Sequence, residues 1–249
     1  MSTFVLIPGA GGHPGYWSRL VPALERRGHT AVPVDVPQHD ESTGIEDHVE
    51  IVLAAVAERV APHDDPPVVV AQSMGAFIGP LVCERIPVSQ LVLLNPMIPA
   101  PGETAGEWWS ATGSSEARRE AGWEGFDVVR DFFHDVPEDL AAEILAGEDR
   151  EPSERSFAEP WPARAWPDVP TAVVAGTDDR IFPIAFQRRV SQERLGLTPY
   201  EVPGGHLVAL SRPEELVDQL EALVVPTRSD EPRTKKFVTR VENPAAGSA

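Results

Sequence analysis

The chain has 249 residues, of which 42% are hydrophobic, enough to bury the core of one α/β domain. A formal charge of −18 argues against nucleic acid and anionic membranes as partners, since both repel an acidic surface. The single cysteine, Cys83, excludes an internal disulfide and a cysteine-based metal cluster. Because no apolar run reaches bilayer length and no leader pattern precedes Thr3, we expect a cytoplasmic protein that binds no membrane.

Strand-like and helix-like apolar patterns alternate along most of the chain. The strand candidates are Thr3–Ile7, Thr30–Val34, Pro67–Ala71, Gln90–Leu94, Thr171–Ala175 and Pro199–Val202. The helix candidates are Tyr16–Arg27, Ile45–Val60, Gly75–Ile86, Ile184–Leu195 and Pro213–Val224. This alternation predicts an α/β fold, a doubly wound and mostly parallel sheet of about six strands.

A run of β-branched residues ends in Ala71-Gln72-Ser73-Met74-Gly75 and passes directly into a helical pattern. This is the shape of a nucleophile elbow, a tight strand-to-helix turn that holds one serine hydroxyl clear of the backbone. Small residues are needed two before and two after the serine, and Ala71 is a mild departure from the usual glycine. We predict Ser73 as a nucleophile; the alternative is a serine that caps the helix.

A serine nucleophile needs a base, and the base needs an acid that orients it. The strand at 171–175 is followed by Asp178 and Asp179, and the strand at 199–202 is followed by Gly-Gly-His206. Each of these groups follows a strand end, and ligands bind at the carboxyl ends of the strands in an open parallel sheet. His206 is the predicted base, while spacing alone does not separate the two carboxylates.

Taken together, these motifs resemble the α/β-hydrolase superfamily, and most of all its small cofactor-free branch of esterases and hydroxynitrile lyases. The likeness extends over roughly residues 3–225 and rests on the elbow, the Gly-x-x-Asp-x-x-x-Pro loop and the Gly-Gly-His loop. It implies that Asp179 is the acid, with Asp178 as the rival. It also implies a catalytic triad that works without a cofactor or a metal.

The loop after the first strand is rich in glycine and carries Gly9, Ala10, Gly11 and Gly12. The resemblance implies an oxyanion hole formed by the backbone N–H groups of Ala10 and Met74. A dinucleotide-binding loop is the alternative, but Pro14 stands where its third glycine would be.

The alternation stops between the fourth and fifth strand candidates, where the family inserts a cap or lid. We therefore divide the chain into a hydrolase core (1–95 and 170–225), a cap segment (96–169) and a flexible tail (226–249). Two helical patterns lie in the cap segment, at about 116–133 and 137–145. It also holds five of the six tryptophans, which either line a pocket or anchor the cap on the core. The candidate pocket residues are His13, Trp108, Trp109 and His134.

These features predict a serine hydrolase of the carboxylesterase type that cleaves a small, apolar or aromatic ester or lactone through an acyl-enzyme. Its partner is a small ester-like molecule, and a homodimer stays open. One alternative is a hydroxynitrile-type lyase; its relatives use a pocket lysine, whereas both lysines here, Lys235 and Lys236, lie in the tail. The other is a non-catalytic module that binds a small ligand.

Overall fold

The computed structural model describes residues 1–61, 64–147 and 150–224, so the predicted tail lies outside the described residues. Its centre is a six-stranded sheet in the order β2-β1-β3-β4-β5-β6, in which every neighbouring pair is parallel. The strands are β1 (Thr3–Ile7), β2 (Thr30–Pro33), β3 (Val68–Gln72), β4 (Gln90–Leu94), β5 (Thr171–Gly176) and β6 (Tyr200–Val202). The predicted doubly wound parallel sheet is confirmed.

Eleven α-helices lie within the described part of the chain. They are α1 (Leu20–Arg26), α2 (Ile45–Arg59), α3 (Gly79–Arg85), α4 (Ala105–Ala111), α5 (Ser114–Glu120), α6 (Val128–Phe132), α7 (Glu138–Leu145), α8 (Glu154–Ala158), α9 (Ile184–Leu195), α10 (Val208–Ser211) and α11 (Pro213–Val224). Two 3-10 helices, Pro14–Trp17 and Ser73–Phe77, precede α1 and α3. None of the helices within 1–61, 64–147 and 150–224 is long and apolar enough to cross a membrane.

The sheet separates two apolar layers, because successive side chains of a strand point to opposite faces. On β1, Phe4 and Leu6 pack with residues of α1 and α11, whereas Val5 and Ile7 pack with residues of α2, α3 and α9. All four side chains are fully buried. Both faces are therefore covered by helices, which explains why the strands read as continuous apolar runs.

Prolines account for two differences from the predicted helices. The helix predicted from Tyr16 divides into a 3-10 turn and α1, with Pro22 in the first turn of α1. The helix predicted from Gly75 likewise begins as a 3-10 turn, and Pro80 is the second residue of α3. Proline has no N–H to donate, so it fits the first turn of a helix and not the interior.

Between β4 and β5, the cap segment contains five short helices, α4 to α8. The single helix expected over 116–133 is wrong: α5 ends at Glu120, and Gly122 and Gly125 adopt left-handed φ values of 88° and 65°. Such values suit glycine and interrupt a right-handed helix. The chain restarts as α6, where the Asp127 side chain accepts from the N–H of Arg130 and caps the new helix.

Tryptophans attach the cap segment to the core. Trp108 and Trp161 are buried. The Trp108 ring packs edge-on against Phe182 of the core, with a centroid distance of 5.1 Å, while its indole N–H donates to the Ile98 carbonyl oxygen (2.9 Å) within the cap segment. The Trp161 indole N–H donates to the carbonyl oxygen of Phe77 (3.1 Å). Phe77 lies in the turn that follows Ser73, so Trp161 links the return of the cap to the elbow. These contacts follow the anchoring alternative for these two tryptophans.

Candidate active site

Ser73 lies at the turn between β3 and the 3-10 helix and has a φ of 50°, in the left-handed region that residues other than glycine rarely adopt. Strain of this kind costs on the order of 1–3 kcal/mol and persists only where the surroundings enforce it. Part of that enforcement is a hydrogen bond from the N–H of Met97 to the Ser73 carbonyl oxygen (3.0 Å). The elbow geometry expected from the sequence is therefore present.

Close backbone packing explains the small residues around this turn. A Cβ atom placed on Gly75 would lie 2.6 Å from the carbonyl oxygen of Pro8, closer than real Cβ atoms approach. The Cβ of Ala71 lies 2.7 Å from the Cβ position of Gly79, the first residue of α3. An alanine is accommodated two residues before Ser73 because its neighbour in α3 is a glycine.

The glycine-rich loop packs directly against the elbow. A Cβ on Gly9 would lie 2.8 Å from the Cβ of Ser73, and a Cβ on Gly12 would overlap the Val36 carbonyl. Within the described residues, the N–H of Ala10 donates no hydrogen bond. Met74 is the second residue of the 3-10 helix, and the first N–H groups of a helix lack an acceptor within it. Both proposed oxyanion donors are thus available to a ligand.

Asp179 is buried in the loop after β5, and N–H donors surround its carboxylate. Oδ1 accepts from the backbone N–H groups of Ile181 (2.8 Å) and Phe182 (2.9 Å). Oδ2 faces His206 Nδ1 (2.8 Å) and accepts from Gln187 Nε2 (3.3 Å). These hydrogen bonds offset the cost of burying a carboxylate. Its neighbour Asp178 is exposed and accepts from the N–H of Gly204 (3.2 Å), so of the two carboxylates it is Asp179 that meets the histidine.

His206 is buried, with only 1% of its surface exposed, between the rings of Phe132 and Phe182, whose centroids each lie 5.1 Å away edge-on. Its Nδ1 pairs with Asp179, while its Nε2 is buried and has no hydrogen-bond partner among the described residues. An Asp on Nδ1 fixes the tautomer that leaves Nε2 free to accept a proton. The Gln72 side chain, next to Ser73, donates to the His206 carbonyl oxygen (3.0 Å) and links the two loops.

Asn95 is a site residue that the sequence did not reveal. It follows β4, is fully buried and has a left-handed φ of 43°. Its Oδ1 accepts from the N–H of Gly176 (2.7 Å), and its Nδ2 donates to the carbonyl oxygens of Gly205 (3.2 Å) and His206 (3.0 Å). One side chain therefore ties the acid loop to the histidine loop. The only signal was its place directly after a strand, which equally suits a turn.

The candidate pocket residues fall in different surroundings. The Nδ1 of His13 accepts from the N–H of Gly15 (2.8 Å) and caps the 3-10 helix at 14–17. Trp108 is fully buried, whereas Trp109 is partly buried and packs against Phe182 with a centroid distance of 5.6 Å. His134 lies beside Gly205, immediately before His206. Trp108 also packs against Phe182, with a centroid distance of 5.1 Å, so Trp108, Trp109 and His134 all approach His206 through a residue that contacts or adjoins it.

Comparison with known proteins gives this geometry a family context. The family model described as the alpha/beta hydrolase family matches residues 4–219. Polyneuridine aldehyde esterase shares the fold with a TM-score of 0.70 and 21% identity, over 90% of this chain and 99% of its own. A pyrethroid hydrolase from Sphingobium faniae JZ-2 has a TM-score of 0.65 and 19% identity, with 89% and 96% coverage.

An extracellular alpha/beta-hydrolase from a Paenibacillus species has a TM-score of 0.72 and 17% identity, over 90% of this chain and 99% of its own. A search of curated proteins found no match. At these identities the solved structures share the fold, whereas the family model covers well over half of the sequence. The chain therefore belongs to the alpha/beta hydrolase family.

Proposed function

We propose that the protein is a serine hydrolase that cleaves a small carboxylic ester or lactone through an acyl-enzyme. The observation that carries this proposal is the state of His206. Its Nδ1 is bonded to the buried Asp179 carboxylate, and its Nε2 is buried without a partner in the described part of the chain. A histidine held in this way is built to take and return a proton.

In the first half of the reaction, His206 Nε2 takes the proton of the Ser73 hydroxyl while the serine oxygen attacks the ester carbonyl carbon. Asp179 stabilises the imidazolium that forms and remains ionised. The carbonyl oxygen becomes an oxyanion, which accepts hydrogen bonds from the N–H groups of Ala10 and Met74. Each such donor is typically worth about 2.7–4 kcal/mol of transition-state stabilisation.

In the second half, His206 gives its proton to the leaving alcohol as the tetrahedral intermediate collapses to an acyl-enzyme. Water then attacks the acyl carbon, with His206 again acting as base, and the acid leaves as Ser73 regains its proton. Every proton in this cycle passes through one nitrogen, which explains why the other nitrogen is fixed by Asp179.

The surroundings of His206 favour a neutral substrate with an apolar or aromatic group. Phe132 and Phe182 contact its ring, and Trp109 packs on Phe182. Between Met97 and Ala165 the sequence has 16 acidic residues and only six arginines, and this excess of negative charge repels anionic substrates. The solved structures named as an esterase and as a pyrethroid hydrolase support ester cleavage.

The test is hydrolysis of p-nitrophenyl esters from acetate to octanoate, together with fluorophosphonate labelling. We expect Ser73→Ala to lower turnover by at least about 10⁴-fold, since a triad acts as a unit, and to abolish labelling. Ser110→Ala, which removes an exposed hydroxyl of α4, is the matched control and should retain wild-type rates.

Labelling of Ser73 without turnover of any of these esters would mean that the nucleophile is active and that the substrate is a lactone, an amide or a cyanohydrin, and it would overturn ester cleavage. A wild-type protein that neither labels nor turns over would overturn the enzyme proposal and favour a ligand-binding module.

A further inference from the structure

We propose that Asp135, in the cap segment, is a positioning residue for His206, an inference that rests on the proposed function. Its Oδ2 accepts a hydrogen bond of 2.7 Å from the backbone N–H of Gly205, the residue directly before the histidine. Asp135 itself lies outside the sheet core, between α6 and α7. The cap thus contributes a hydrogen bond to the loop that carries the catalytic base.

The backbone of Gly205 is held from two sides. Its N–H donates to Asp135, and its carbonyl oxygen accepts from Asn95 Nδ2 (3.2 Å). The next carbonyl oxygen, that of His206, accepts from Asn95 and from Gln72. The core therefore fixes the carbonyl groups, while the cap fixes the preceding N–H. Loss of Asp135 removes one of these restraints and leaves a buried donor unpaired.

Glycine at position 205 allows the cap to sit this close. A Cβ on Gly205 would lie 2.6 Å from His134 Nε2 and 2.8 Å from Asp135 Oδ1. Both distances are shorter than real Cβ contacts. The Gly-Gly-His motif thus has a second use here: its second glycine makes room for two polar side chains of the cap.

The residues around Asp135 keep it in place. Phe133 and Val136 are buried against Leu207 and Leu210, which follow the catalytic histidine. Phe132 contacts the His206 ring itself. Residues 132–136 therefore hold residues 205–210 by apolar packing, with the Asp135 bond setting the orientation of one peptide. If loss of the Asp135 hydrogen bond displaces His206 by about 1 Å, the rate falls on the order of 100-fold.

The experiment compares Asp135→Ala, Asp135→Asn and the matched control Glu143→Ala, which removes an exposed carboxylate from α7. We expect Asp135→Ala to lower kcat and the fluorophosphonate inactivation rate about 10- to 100-fold, with KM changed by less than about threefold. Asp135→Asn retains an oxygen acceptor for Gly205 and should stay within about threefold of wild type. Glu143→Ala should match wild type.

A readout independent of substrate is the low-field proton NMR signal of the His206–Asp179 hydrogen bond. It should be sharp in wild type, Asp135→Asn and Glu143→Ala, and broadened in Asp135→Ala. Wild-type kcat and an unchanged signal in a folded Asp135→Ala protein would overturn the positioning role. So would an Asp135→Asn variant as impaired as Asp135→Ala. If wild type itself fails to label, the proposed function fails, whereas the NMR comparison still tests the Asp135 contact.

Discussion

The carboxyl ends of the strands, which form one edge of the sheet, and the cap segment hold their polar groups in different ways. This edge is called the sheet edge below. At the sheet edge, both oxygens of Asp179 and both polar atoms of the Asn95 amide have hydrogen-bond partners. On the cap side, His134 Nε2 and Asp135 Oδ1 are buried without partners within the described residues, and they lie 4.0 Å apart. In the first region the acid and Asn95 are fully paired, whereas His206 Nε2 has no partner among the described residues, the Ser73 hydroxyl included. In the second, a nitrogen and an oxygen of two adjacent cap residues are unpaired.

The secondary structure that supports the two regions also differs. The residues of the proposed triad follow β3 and β5, strands of five and six residues, and the outermost strand β6, whereas the cap is built from helices of five to eight residues. Short helices depend on tertiary packing, since so few turns are marginal by themselves. The sheet edge therefore fixes the chemistry, and the cap is the part in which contacts to substrate can vary.

The largest effect expected at the sheet edge comes from the acid. Asp179→Asn keeps the size of the side chain but presents a neutral amide to His206 Nδ1, and it should lower kcat by about 10⁴-fold. Asp178→Asn changes the adjacent, exposed carboxylate and should stay within about threefold of wild type. Steady-state kinetics on one p-nitrophenyl ester compares the pair directly.

If the two variants lost activity equally, the acid would not be defined by its contact with the histidine. A loss of kcat confined to Asp178→Asn would show that Asp178, and not Asp179, is the acid in the loop after β5. Either result would break the view that hydrogen bonds at the sheet edge fix the triad.

A smaller effect is expected for Asn95→Ala. The change removes the acceptor for Gly176 and the donor for the carbonyl oxygens of Gly205 and His206, all of them buried. Unpaired buried groups cost about 1–3 kcal/mol each, so the free energy of unfolding should fall by several kcal/mol in urea titration. Turnover of the folded variant should fall about 10- to 100-fold because the histidine loop shifts.

Gln90→Ala, at the start of the same strand, is the control and should leave turnover unchanged, since its side chain is remote from the triad loops. Wild-type stability and turnover in Asn95→Ala would show that the backbone alone holds the acid and histidine loops together.

Local patterns explain how much of this could be read from the sequence. The six strands follow from runs of apolar residues. They and the long helices α2, α9 and α11 lie within one or two residues of the expected bounds. Ser73 and His206 sit in short motifs whose spacing is itself informative. Asp179 was separated from Asp178 by family resemblance, and the structure brings Asp179 to the histidine.

The contacts that the sequence did not reveal join residues far apart in the chain. Asn95 bonds residues 81 and 110 positions away, and Asp135 bonds one 70 positions away. No local periodicity records such pairs. In the cap, Gly122 and Gly125 divide an apparently continuous helical pattern, because an isolated glycine is tolerated in helices and its φ is not written in the sequence.

The smallest effect concerns Asp131, a buried carboxylate of the cap whose partner Arg118 contacts the acid loop. It accepts from Arg118 (2.7 Å) and Arg130 (2.6 Å), and Arg118 also donates to the carbonyl oxygen of Arg180, next to Asp179. Burial raises its pKa, but hydrogen bonds from Arg130 and from the Asp127 N–H, with the charge of Arg118, outweigh burial and hold that pKa at about 2.

Since this pKa lies below the ordinary value of about 3.9, the carboxylate stabilises the fold above about pH 4, and that contribution disappears as the pH falls towards 2. Asp131→Asn should therefore lower the free energy of unfolding by on the order of 1–2 kcal/mol at pH 6, and the difference from wild type should shrink in acid. Urea titrations at several pH values measure this difference.

Glu116→Gln, which removes an exposed ion pair with Arg119, should change stability by less than about 1 kcal/mol. A difference for Asp131→Asn that is the same at pH 6 and pH 2.5 would mean that the lost contribution is packing and not charge. The attachment of the cap to the acid loop would then not depend on the charge of Asp131.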